Sequence, residues 1–89
     1  MKDAERNRQI KKILAERFGK ENVSVRMQGS WCNIIIKAPS CEETLRNKRY
    51  WEIRDTVWSL IKNYNFGIYY DDMNLIHPEV TINVDFEEV

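Results

Sequence analysis

The spacing of apolar residues changes period along this chain, and the change decides what it can fold into. Between Asp3 and Phe18 the apolar positions are Ala4, Ile10, Ile13, Leu14 and Phe18, spaced by threes and fours, with Lys11, Lys12, Glu16 and Arg17 between them. That is the stripe of an amphipathic helix. Asp3 suits its N-cap and Gly19 its C-terminal cap. From Val23 the period falls to two: Val23, Val25 and Met27 alternate with Ser24, Arg26 and Gln28, and after Gly29-Ser30 an isoleucine-rich run extends from Trp31 to Ala38. Two strands joined by Gly-Ser make a hairpin.

Pro39 ends the second strand, and Ser40-Cys41-Glu42-Glu43 has the S-x-x-E form of a capping box, so a second helix is expected to begin there. It runs either in one piece to Asn65 or breaks near Asn47, with Tyr50, Ile53, Val57, Leu60, Ile61 and Tyr64 as its inner set and Trp51 and Trp58 on an adjoining stripe. Gly67 releases the chain into a short strand, Ile68 to Tyr70, and Asp71-Asp72-Met73-Asn74 reads as a turn or loop. After His77-Pro78 comes the cleanest alternation, Val80, Ile82, Val84 and Phe86 against Thr81, Asn83 and Asp85.

The order helix, strand, strand, helix, strand, strand predicts an α+β fold, a two-layer sandwich of antiparallel hairpins with both helices on one face of a four-stranded sheet. The expected core is Ile10, Leu14, Phe18, Val25, Ile34, Ile36, Val57, Ile61, Val80, Ile82 and Val84. Residues 1–89 read as a single domain, because a chain of 89 residues buries only roughly 60–65% of its unfolded surface and supports one small core.

Charge is neutral overall yet unevenly placed. Residues 1–54 carry 13 Lys/Arg against 7 Asp/Glu, and residues 55–89 carry 1 against 7. The halves either attract each other within the fold or present a basic surface to phosphate or an acidic protein. No window approaches the roughly 18 consecutive apolar residues of a membrane span, and Lys2, Asp3, Glu5 and Arg6 stand where a signal peptide turns apolar. The cytoplasm is the expected location, with no membrane partner.

Cys32 and Cys41 are expected to be free thiols of a reducing compartment. A strand over 32–38 spans about 20 Å, three further residues recover only about 10 Å, and the remainder exceeds the roughly 7 Å limit for a bridged Cα pair. Two cysteines and the lone His77 make no structural zinc set. The phosphate loop, Cys-x-x-Cys, His-Glu-x-x-His and Gly-x-Ser-x-Gly motifs are all missing. Asp71-Asp72 reads as a solvated turn before it reads as a weak site for a hard cation. His77 reads as a strand-entry residue before a base or ligand. No catalytic residue, metal or cofactor is expected, and the chain reads as a non-enzyme.

The sheet face turned away from the helices gathers Ser24, Arg26, Gln28, Trp31, Asn33, Ile35, Lys37, Thr81, Asn83 and Asp85. Trp31 and Ile35 on that face have no obvious cover, and Arg26 and Lys37 flank them. Such a face suits stacking of single-stranded nucleic acid or anchoring of a partner protein, unless Trp31 folds back onto its own sheet. The basic, aromatic stretch Arg46 to Arg54 supplies Lys48, Arg49 and Trp51 as further binding candidates, either as a phosphate-binding helix face or as long stems covering tryptophans on a solvated one.

The N-terminal helix ending in Phe18, then Val23-Ser24-Val25-Arg26, a Gly-Ser turn and a strand ending in Lys37-Ala38, with Tyr69-Tyr70-Asp71-Asp72 leading to a last strand at Phe86, resembles the large polyvalent protein associated domain family, the twenty-ninth of that series, found in phage and plasmid proteins. The stretch from Arg46 to Arg54 departs from that pattern. The resemblance implies a mobile-element origin and an accessory role beside host defence or DNA transfer, with no catalytic residues to transfer. The resulting reading is a small non-enzymatic binding domain of phage or mobile-element origin that occupies a surface on a host or partner protein, with inhibition of a host defence component one form of that role. The alternative is a single-stranded nucleic-acid-binding domain using the open sheet face.

Overall fold

A computed structural model describes residues 3–29, 31–73 and 75–88. The expected N-cap role of the Asp3 side chain and the expected turn positions Ser30 and Asn74 fall outside the described residues. The first helix, α1, spans Asp3–Phe18. Gly19 stops it at φ 95°, a left-handed value that a side chain would strain, while its N–H still donates to Ala15 O at 2.9 Å. One 3₁₀ turn, Lys20–Asn22, leads into β1, Val23–Gln28. Gly29, at φ 64°, turns the chain into β2, Trp31–Ala38, which pairs antiparallel with β1 from Val23↔Ile36 to Gln28↔Trp31. The helix α2 then runs unbroken over Glu43–Ile61. Three strands close the chain: the short β3 at Ile68–Tyr70 and β4 at Ile76–Pro78, and the longer β5 at Val80–Phe86.

The fold is α+β, and both helices cover one face of the main sheet: Ile10 and Leu14 of α1 and Val57 and Ile61 of α2 share a single core with Cys32, Ile34 and Ile36 of β2. Pleat alternation sets that face, because every even-numbered residue of β2 is buried. Val23 and Ile82 complete the core, with Phe18, Val25, Ile53, Tyr64, Phe66 and Val80 packed against it. Met27, in phase with Val23 and Val25, is nonetheless 42% exposed at the far end of β1, and Leu60 of the expected inner set is exposed as well.

The sheet differs from the expected four antiparallel strands. It has three, in the order β1-β2-β5, and β5 runs parallel to β2 from Cys32↔Val80 to Ala38↔Phe86. A strand that returns after a helix has crossed the sheet can lie parallel to the strand it left, which a tight hairpin cannot achieve. The strand at Ile68–Tyr70 does not join it; β3 pairs instead with β4, the segment read as strand entry, through Ile68↔Pro78 and Tyr70↔Ile76. Pro78 is tolerated because it ends its strand. The capping box is also absent. The cap residue of α2 is Glu42, without a side-chain cap bond, so Ser40 lies too early to serve it.

Candidate functional site

Pleat and register together place the expected face. Opposite the helices, Gln28 faces Trp31, Arg26 faces Asn33 and then Thr81, Ser24 faces Ile35 and then Asn83, and Lys37 faces Asp85. Much of this surface is self-satisfied. Asn33 Nδ2 donates to Gln28 Oε1 at 2.9 Å, and Thr81 Oγ1 donates to Asn33 Oδ1 at 2.6 Å. Arg26, Ile35 and Lys37 are exposed, and the opposite charge of Asp85 stands across from Lys37.

Trp31, for which the sequence offered either an open position or packing onto its own sheet, is covered by a residue of β3 instead. The Tyr69 ring lies 4.9 Å from it, tilted by 48°, and His77 stacks on Tyr69 in turn at 5.0 Å. His77 Nε2 stands 3.4 Å from Asp71 Oδ2. The β3–β4 ribbon therefore seats its Tyr69/His77 face against one end of the open sheet face, leaving Trp31 half-buried. Period two then forces Ile68, Tyr70 and Ile76 onto the ribbon's other face. With Met73 and Leu75 at the tip, these side chains are between 54% and 79% exposed.

Lys48, Arg49 and Trp51 are exposed on α2, in the helix layer, so the fold does not join them to Arg26, Trp31, Ile35 and Lys37. The α2 residues buried in the core are Val57 and Ile61, both near its C-terminal end. Arg54 lies over Trp51 and Tyr50, 5.0 and 5.5 Å from the ring centroids, and so contributes stems and charge to the aromatic stripe. Trp58 lies 6.5 Å from Phe66, nearly parallel to it.

The ribbon's bare face went unread in the sequence, although Ile68-Tyr69-Tyr70 and Leu75-Ile76 flanking Asp-Asp-Met-Asn carry a strand-turn-strand signal. Arg6 also went unread. It is buried, donating from Nε to Asn7 Oδ1 at 3.0 Å and from a terminal nitrogen to Asn65 O at 2.8 Å, with its guanidinium 4.9 Å from the Phe66 ring centroid. It ties α1 to the segment between α2 and β3. Burial pushes the nearby Cys32 thiol above its ordinary value, and the Arg6 charge and hydrogen bond partly oppose that. Both cysteines are free.

Among the described residues no cluster of three His, Cys, Asp or Glu is disposed to hold a metal ion, and no helix is long and apolar enough to cross a membrane. No family model matches the sequence, and no curated protein or solved structure is significantly similar to it.

Proposed function

We propose that this protein is a non-enzymatic binding domain that docks a partner protein on the bare face of the β3–β4 ribbon. The observation that carries the reading is the ribbon's two-sidedness. One face is fixed to the domain through Tyr69 and Trp31, while Ile68, Tyr70, Ile76, Met73 and Leu75 stand in solvent. A patch of aromatic, aliphatic and methionine side chains, anchored to the domain on its other face, has the composition of an interface centre. The partner's chemistry follows from charge: residues 63–89 contain six Asp/Glu and no Lys or Arg, so an apolar surface with a basic rim is complementary. Trp31 serves as the seat of the ribbon, and Arg26, Ile35 and Lys37 are exposed on the same sheet face.

A second reading, single-stranded nucleic acid on the open sheet face, is favoured by exposed Arg26 and Lys37. Stacking needs free rings, whereas Trp31 already carries Tyr69. The test is affinity capture with and without nuclease, followed by titration of the recovered partner. Protein docking predicts a partner that survives nuclease, binds with modest salt dependence and is lost on Tyr70→Ser with Ile76→Ser. Capture that vanishes with nuclease, or binding that falls steeply with salt and ignores the ribbon variant, transfers the function to the sheet face.

A further inference from the structure

We infer that β5 is a self-pairing edge, and that its occupant is β5 of a second copy of this chain. The inference is independent of the ribbon's role. In the order β1-β2-β5 the last strand has, among the described residues, one neighbour within its sheet. The backbone bonds show which of its groups remain unused. Cys32 N donates to Glu79 O at 3.0 Å and Glu87 N donates to Ala38 O at 2.9 Å, so the odd-numbered residues of β5 turn toward β2. Strand alternation then points the N–H and C=O of Val80, Ile82, Val84 and Phe86 outward along a seven-residue edge.

An antiparallel pairing centred on Asn83 fits this edge to itself. It sets Ile82 against Val84 and Val80 against Phe86 of the other copy, engaging all four outward-facing residues of each strand. The one charged residue of the strand, Asp85, then meets Thr81 instead of another Asp85. Beyond Phe86 the second copy lays Glu87 and Glu88 alongside Glu79 and Pro78. There a cleft of about 400 Å³ opens between α2, the ribbon and β5, lined by Tyr50, Arg54, Tyr69, His77, Val80 and Ile82. Arg54 Nε is buried with no hydrogen-bond partner among the described residues, and period two places Glu88 on the helix side, where Arg54 stands. This supplies charge complementarity at each end of the pairing, against the acidic character of the segment that carries β5. The register's like-charge contact is Glu79 with Glu87, which the twofold repeats at each end.

Sedimentation of the full chain over a concentration series tests the inference. A monomer–dimer equilibrium is expected. Val84→Pro deletes an outward N–H that β2 does not use and should weaken the dimer by about tenfold. Asn83→Asp, exposed in the monomer, sets two carboxylates face to face on the twofold axis and should weaken it by about threefold, less at high salt. Glu79→Gln should tighten it. A chain that stays monomeric up to hundreds of micromolar overturns the inference, as does a dimer indifferent to Asn83→Asp. A dimer lost on Tyr70→Ser also overturns it, by moving self-association to the ribbon.

Discussion

Strand β2 and the β3–β4 ribbon are built from similar residues and end in opposite circumstances. In β2 the isoleucines at 34 and 36 have essentially no exposure because α1 and α2 lie across them. In the ribbon Ile68 and Ile76 are 58% and 62% exposed, since the face that found a cover is the one holding Tyr69 and His77. Alternation makes two faces in both places, and only what packs against them decides which face is stable to leave wet. An apolar face without cover contributes nothing to folding and is free to serve a partner.

The contrast is tested first where it is largest. Ile34→Ala empties a fully buried site and should cost about 2–5 kcal/mol in urea unfolding, while Ile76→Ala should shift stability by no more than about 0.5 kcal/mol. Equal losses would show that the ribbon face is covered after all. Arg6→Ala comes next: it leaves the Asn65 carbonyl without its donor, and a loss of about 1–3 kcal/mol is expected from thermal melts. Trp31→Ala removes the ribbon's seat. It should leave the main sheet folded but speed amide exchange in β3 and β4, and weaken partner binding about as much as removal of an interface anchor, ~2 kcal/mol.

The smallest effect sharpens the buried side. The Cys32 thiol is held above its unfolded value of 9.0, chiefly by burial. Its stabilising contribution is therefore complete below that pH and is lost as pH climbs from there towards the folded value, where the unfolded chain has already released the proton. Cys32→Ala should flatten this alkaline decline, and alkylation near pH 8 should label Cys41 well before Cys32.

Much of this comparison could be read before folding, and the exceptions share a cause. The α1 stripe, the β1–β2 hairpin and the odd and even faces of β2 follow from periods of 3.6 and 2 within one segment. The ribbon followed only in part: the strand Ile68–Tyr70 was legible, but Ile76–Pro78 carries too few positions to show a period, and its pairing with β3 is not written in either segment. Arg6 was hidden for another reason: a charged residue on a basic helix reads as solvated, and its acceptor at Asn65 is 59 residues away.

The sequence by itself determined the two helices, the strands β1, β2, β3 and β5 and, within each long strand, which residues share a side, since backbone geometry imposes those periods locally. The tertiary structure alone decided that β5 returns parallel to β2 and that β3 pairs with β4 outside the main sheet. It also decided which side of the ribbon faces water. These outcomes depend on contacts between segments far apart in the chain: the stacking of Tyr69 on Trp31, and the path of α2 across the sheet between Ala38 and Val80. Local propensity is blind to them because the energy that selects among the pairings arises only when the segments meet.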